Sequence, residues 1–278
     1  MHREFEEHFS RLLGESYERF VEAINEVSTV AVRMNPNKKT EPDFEGAHSI
    51  PWAQGAYWLE KRPAFYADPQ HFSGAYYVQD PSSMFFTNAI DFGRVDLALD
   101  LCAAPGGKST HLLSLMKDEA YLVANELDIN RNKALVENVN RWGNVNCTVS
   151  NGRSGVFTGL EGQFDLVLLD APCSGEGMFR KDRQSLEQWS PNLVRSCATI
   201  QSELIDDAAA LVSPGGYLVY STCTFEPEEN ERQIERIMKS HDFEGVSIDL
   251  DAAWNIQERS IKSGPESVQS YYLYFHNV

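Results

Sequence analysis

Two cysteines stand where a cysteine can act as a nucleophile. Cys173 follows Asp170-Ala171-Pro172, and Cys223 follows Ser221-Thr222; each comes just after an apolar run, 164–169 and 216–220, that reads as a strand. A thiol in a loop at the carboxyl end of a strand faces ligands, whereas a cysteine inside a strand is a small apolar core residue. One such cysteine is more often inert than reactive, but two in neighbouring βα loops imply a shared chemistry. That chemistry is covalent catalysis, in which a thiolate adds to an electron-poor carbon and later leaves, splitting one hard step into easier ones. Spacing alone does not say which cysteine attacks. Asp170, in the same loop as Cys173, is placed to hydrogen-bond a substrate and stabilise charge as the thiolate adds.

A second group lies upstream, in the loop Asp100-Leu101-Cys102-Ala103-Ala104-Pro105-Gly106-Gly107-Lys108-Ser109. Its glycines let backbone approach a ligand closely, and the helix it opens favours negative charge at its start. A P-loop would need glycine where Cys102 stands, so the phosphate cradle is incomplete. The dinucleotide fingerprint G-x-G-x-x-G is absent. What remains suits a carboxylate and a ribose, and S-adenosylmethionine is a ligand of that kind. Glu126, ending the run Val123-Ala124-Asn125, follows the glycines by about twenty residues, the distance at which an acid reaches ribose hydroxyls.

Both groups need a scaffold that brings strand ends together. Apolar runs predict strands at 96–101, 120–125, 145–149, 164–170 and 216–221, continuous because both faces of a parallel sheet are covered. Helices are predicted at 109–116, 129–142 and 191–212, the last opened by Ser190-Pro191, and Pro227 starts another with Glu228 and Glu229 near its positive end. The βαβα order implies a doubly wound α/β sheet with ligands at the carboxyl ends of its strands. Ahead of it, 4–13 and 16–27 read as amphipathic helices with Ser16 as a possible cap, and Val30 to Met34 as a short strand. An aromatic, loop-rich stretch from about 44 to 78 is expected to form the packing between a small α+β N-terminal cap, 1–90, and the main domain, 91–278, with a base-stacking surface as the alternative for one or two of its rings.

Composition bounds the setting. With 42% hydrophobic residues the 278-residue chain reads as globular, and no apolar run is long enough for a membrane span. Five widely spaced cysteines without a C-x-x-C pair argue against a structural metal or disulfide framework and for a reducing cytoplasm. The net charge of −17 argues against a phosphate-binding surface.

At Asp-Leu-Cys-Ala-Ala-Pro-Gly-Gly-Lys (100–108), Asn125-Glu126 with Arg131, Asp-Ala-Pro-Cys-Ser-Gly-Glu-Gly (170–177) and Ser-Thr-Cys-Thr-Phe (221–225), the chain resembles the Sun/Fmu-type (NSUN) RNA cytosine-5 methyltransferases, nearest to those of RsmF type acting on bacterial ribosomal RNA. Arg33-Met34-Asn35, Pro51-Trp52 and Tyr77 to Met84 extend the likeness upstream. The resemblance implies a class I methyltransferase sheet, S-adenosylmethionine as methyl donor and RNA as partner. It makes Cys223 the nucleophile and Cys173 the residue that assists release. It assigns 102–108, Glu126, Arg131 and Asp170 to the cofactor pocket, with Lys108 also reaching the base. Asn151 stands in Ser150-Asn151-Gly152-Arg153, where the family offers an acid to adenine. The segment 273–278 resembles the stretch before the family's final strand, so that antiparallel strand and any C-terminal RNA-binding domain are expected to lie outside this chain. Two other readings compete: a methyltransferase of another substrate, which suits the acidity, and a non-catalytic RNA-binding fragment.

Overall fold

The computed structural model describes residues 3–38, 44–263 and 266–272. In chain order its elements are α1 (Arg3–Leu13), α2 (Tyr17–Ile24), β1 (Val30–Met34), β2 (His48–Ser49), β3 (Ala56–Leu59), α3 (Pro69–Phe72), β4 (Tyr76–Val78), β5 (Leu97–Asp100), α4 (Gly107–Leu115), β6 (Tyr121–Asn125), α5 (Ile129–Trp142), β7 (Cys147–Ser150), β8 (Phe164–Asp170), α6 (Arg183–Gln188), α7 (Pro191–Leu211), β9 (Val212–Ser221), α8 (Glu231–Ser240), β10 (Gln257–Ser263) and β11 (Glu266–Tyr272), with short 3₁₀ turns between. Contacts divide them into two compact units, residues 29–170 with 207–220, and residues 1–28 with 171–206 and 221–278.

The first unit is built on a sheet of order β7-β6-β5-β8-β9. β5 pairs in parallel with β6 and β8, and β6 with β7. β8 is buried along Leu166–Leu169 because helices cover such a sheet on both faces, which is why its sequence is a continuous apolar run. The chain winds from β5 outward to β7 and returns to β8 on the other side of β5. That reversal puts a crevice beyond the ends of β5 and β8, at Asp100 and Asp170. Asp128 starts α5 by accepting from the N–H groups of Asn130 and Arg131, and Gly143 at φ 86° ends it.

The aromatic stretch expected to be loop is partly sheet. β2, β3 and β4 join β1 antiparallel in the order β2-β3-β1-β4, with Val32 opposite both Tyr57 and Val78. Arg33 on β1 is 1% exposed and reaches into α4. Its guanidinium donates to Gln79 Oε1 (2.9 Å), Ser114 Oγ (3.0 Å), Gly107 O (3.2 Å), Thr110 O (3.4 Å) and Thr110 Oγ1 (2.6 Å), and it lies 4.5 Å from the Trp142 ring. Burial pushes its pKa down to about 9.

The second unit has an aromatic core of Phe5, Phe9, Phe20, Phe179, Trp189 and Phe225. It comprises α1, α2, α6, the first part of α7, α8 and the antiparallel hairpin β10-β11. Ser190 caps α7 as expected, accepting from the Leu193 N–H at 3.2 Å. Ser16 makes no such bond at the start of α2. The helix expected from Pro227 begins at Glu231, since 226–230 form a turn in which the Asn230 N–H donates to Glu226 O. Glu229 is therefore not a first-turn helix acid; it is fully buried. The segment 273–278 lies outside the described residues. No helix among the described residues is long and apolar enough to cross a membrane, and among those residues no cluster of His, Cys, Asp or Glu could hold a metal.

Candidate active-site residues

The crevice of the first unit carries the glycine loop. Ala103 and Ala104 are buried, the Ala104–Pro105 bond is cis, and Gly106 sits at φ 109° before Gly107 opens α4. A side chain at Gly106 would be strained by that backbone and would meet Leu135 at 3.2 Å, so the tight turn requires glycine. Asp100, fully buried, accepts from Ser109 Oγ at 2.6 Å, and burial raises its carboxyl to about 7. Cys102 is half-buried, and burial first, then the neighbouring acids, push its thiol up to about 12. A thiol so disfavoured as an anion makes a wall, not a nucleophile.

Glu126 is buried at the end of β6. Its Oε1 accepts from the Asp128 N–H at 2.9 Å, while Oε2 has no hydrogen bond and lies 3.3 Å from Arg131. A buried carboxylate oxygen met by an ion pair but by no hydrogen bond fits a ribose hydroxyl. Arg131 also donates to Ala104 O at 2.8 Å, so it braces the loop. Asn151 turns its amide to the backbone that follows β6, donating to Glu126 O (2.6 Å) and Leu127 O (3.0 Å). Lys108, in the first turn of α4, and Asp170, at the end of β8, pair at 2.6 Å.

In the second unit the two cysteine loops converge. The sulfurs of Cys173 and Cys223 lie 3.1 Å apart, and the Cys223 N–H donates to the Cys173 sulfur at 3.2 Å. Cys223 is exposed and Cys173 half-buried. The hydrogen bond to Cys223 and burial hold the Cys173 thiol well above its ordinary range, so it keeps its proton at neutral pH. Gly177 N–H donates to Cys223 O at 2.7 Å. A Cβ on Gly177 would sit 2.8 Å from that same oxygen, so only glycine admits the approach.

Beneath the cysteines lies a polar nest that the motif reading missed. Ser174 Oγ lies within hydrogen-bond reach of Glu176 Oε1 (2.8 Å), Glu229 Oε1 and Thr224 Oγ1 (3.1 Å), and its single proton goes to one of them at a time. Glu229 Oε2 accepts from the Ser174 N–H (3.1 Å) and from Gln201 Nε2 (2.7 Å), and Gln201 also donates to Pro172 O. Trp189 Nε1 donates to Glu176 Oε1 at 2.6 Å. Burial raises Glu176 to about 7 and moves Glu229 upward. These bonds tie the Cys173 loop to the Cys223 loop, which closes one mutual geometry for both thiols. The Ser-Gly-Glu-Gly and Glu-Glu-Asn strings held the residues, but nothing local announces a buried acid.

Comparison with known proteins gives this arrangement a lineage. Residues 89–273 match the family model described as 16S rRNA methyltransferase RsmB/F, and residues 1–81 match that of the N-terminal domain of 16S rRNA methyltransferase RsmF. The Vibrio parahaemolyticus ribosomal RNA small subunit methyltransferase F is 39% identical over 229 residues, 77% of this chain and 48% of that protein. Its Vibrio campbellii counterpart is 42% identical over 66% of this chain and 40% of that protein. The chain thus spans about half, or less, of the length of these relatives. A methyltransferase homologue from Pyrococcus horikoshii superposes with a TM-score of 0.71 at 28% identity, covering 95% of this chain and 83% of that one. NSun6 from the same organism, crystallised with SFG, shares the fold with a TM-score of 0.77 at 20% identity over 92% of this chain and 93% of that one. The chain belongs to the RsmB/F family of 16S rRNA methyltransferases.

Proposed function

We propose that the chain is an RNA cytosine-5 methyltransferase that takes its methyl group from S-adenosylmethionine and acts on ribosomal RNA in the cytoplasm, with 1–90 as an RNA-facing cap and 91–278 as the methyltransferase domain. The observation that carries this reading is the approach of two loop cysteines, fifty residues apart in sequence, to 3.1 Å between sulfurs. Methyl transfer to an oxygen, a nitrogen or a protein side chain gives no use for such a pair.

Carbon 5 of cytosine is a poor nucleophile. In the proposed sequence the Cys223 thiolate forms a bond to carbon 6, and the displaced π electrons make carbon 5 enamine-like. S-adenosylmethionine, when bound, supplies an electrophilic methyl on a sulfonium sulfur. The electron pair at carbon 5 takes that methyl; a base from solvent then takes up the carbon 5 proton, the pair of that C–H bond returns to the ring, and the bond to carbon 6 breaks to release Cys223 as thiolate. Cys223 attacks because it is the exposed member of the pair, while Cys173, held as a thiol, assists the release. Asp170 hydrogen-bonds the amino edge of the base, and Lys108 balances its charge and reaches the same base. Glu126 holds the ribose, the turn at 102–107 holds the methionine end, and Arg131 and Asn151 keep the pocket walls in place. The base must be unstacked to reach these groups.

The test is incubation with labelled S-adenosylmethionine and small-subunit ribosomal RNA, followed by nucleoside analysis. Label in 5-methylcytosine is expected; label on adenine or on protein, or no binding of S-adenosylmethionine, overturns the reading. Cys173→Ala is expected to accumulate a covalent RNA adduct and Cys223→Ala to form none. The opposite pattern reverses the assignment of the two thiols.

A further inference from the structure

The N-terminal hairpin of α1 and α2 is packed on the cysteine loops of its own unit. Phe20 meets Phe225 edge-on at 5.6 Å, and Phe5 meets Phe179 at 5.5 Å and Trp189 at 5.1 Å. Into this apolar contact α1 sends His8, whose Nε2 lies 2.9 Å from Glu226 Oε2. The Glu226 side chain is 2% exposed and that of His8 44%. Glu226 belongs to the Cys223 loop and helps set its path. Its N–H donates to Thr224 Oγ1 (3.0 Å) and its carbonyl accepts from Asn230 Nδ2 (3.0 Å), while Thr224 Oγ1 touches Ser174 beside Cys173. Its other carboxylate oxygen, Oε1, is buried without a hydrogen bond.

We propose that His8 is a positioning residue for Cys223, holding the 222–226 loop through the Glu226 carboxylate. The proposal rests on reading Cys173 and Cys223 as the reacting pair. A carboxylate this buried is tolerated when a countercharge meets it, and removing that partner leaves an uncompensated charge inside the protein. His8, half-exposed, can take up the proton that supplies the countercharge. The charged groups facing it are Glu226 on the nucleophile loop, Glu176 on the Cys173 loop and Arg11 on its own helix, with the Phe9 and Trp189 rings as walls. The hydrogen bond to Glu226 raises its pKa above 6.5 against the opposing effect of burial. The clamp is therefore complete below pH 6.5 and is lost as pH rises through the folded value.

The test compares wild type, His8→Gln, Glu226→Gln and the double variant from pH 5.5 to 9. Amide exchange of the 222–230 segment, corrected for intrinsic rate, and alkylation of Cys223 by iodoacetamide are followed, with thermal midpoints alongside. His8→Gln should speed exchange of 222–230 roughly tenfold at low pH, the size of a charge-assisted hydrogen bond, and converge on wild type at high pH. Cys223 alkylation should shift in the same pH range. Glu226→Gln should flatten the wild-type pH dependence, and the double variant should recover protection because no buried charge remains. Exchange and alkylation in His8→Gln that follow wild type within about twofold would overturn the proposal. So would loosening of the whole unit that the double variant fails to reverse, since His8 would then be a contact of the fold alone. Neither readout uses RNA or S-adenosylmethionine, so a failure of methylation would count against the proposed reaction and leave this result standing.

Discussion

Replacing Gly177 with alanine is the sharpest probe of the cysteine pair, because one methyl group is aimed at one atom. The added Cβ would lie 2.8 Å from Cys223 O, 3.4 Å from its carbonyl carbon and 3.5 Å from its Cβ. Gly177 is not among the glycines with positive φ, so its backbone tolerates alanine and the cost is steric alone. Relieving the contact with the oxygen takes a displacement of about 0.5 Å, and it strains the 2.7 Å bond from the Gly177 N–H to Cys223 O. A misplacement of about 1 Å at a reacting group costs on the order of 10²-fold, so half that distance corresponds to roughly a tenfold slower addition step. Overpacking should lower stability by about 1–2 kcal/mol. Single-turnover formation of the covalent RNA adduct in the Cys173→Ala background reads the first quantity, and a urea midpoint the second. Gly155→Ala is the control, since nothing lies within 4 Å of a Cβ there. If Gly177→Ala forms adduct at the rate of its Cys173→Ala parent while its urea midpoint falls, the close approach packs the fold without setting the nucleophile's position, and the reasoning fails.

Arg33→Met should lower stability by about 2–4 kcal/mol, because Gln79 and the α4 groups lose their buried donor, and should weaken S-adenosylmethionine binding because Gly107 O is among those groups. Calorimetric titration beside a denaturation curve checks both, and an unchanged midpoint would contradict the account of β1 as the anchor of α4. Glu176 titrates near 7 in the folded protein against an ordinary value of 4.5, with burial as the main cause. Its contribution to stability is therefore present below pH 4.5 and lost as pH rises through about 7. Glu176→Gln should gain on wild type across that window by on the order of 3 kcal/mol, read from midpoints at pH 4.5 and 7.5; a constant difference between the two curves would refute the assignment.

Much of the large unit was legible because its elements are long and follow one rule. The strand at 164–170 and the helix at 129–142 coincide with β8 and α5 residue for residue, the first as an unbroken apolar run and the second between an aspartate cap and a glycine stop. The small antiparallel sheet escaped notice because β2, β3 and β4 have two, four and three residues, too few for an alternation to stand out from the aromatic residues around it. Pro227 followed by glutamates satisfied the local rule for a helix start, yet Glu229 is taken by Ser174 and Gln201, so the turn holds until Glu231. Local propensity lost there to a buried hydrogen-bond network.

The sequence by itself determined the chemistry available: two loop cysteines after strands, a glycine turn that is not a P-loop, an acid at the ribose distance and an aspartate beside Cys173. Those are properties of residue type and near spacing, which the chain carries wherever it folds. Only the tertiary structure decided that Cys173 and Cys223 meet at 3.1 Å, that Lys108 pairs with Asp170, and that His8 from the first helix reaches Glu226. Each joins segments whose proximity depends on how distant parts of the chain pack, and no short-range periodicity encodes that. The buried acids followed for the same reason, since a glutamate becomes an interior carboxylate only when distant donors close around it.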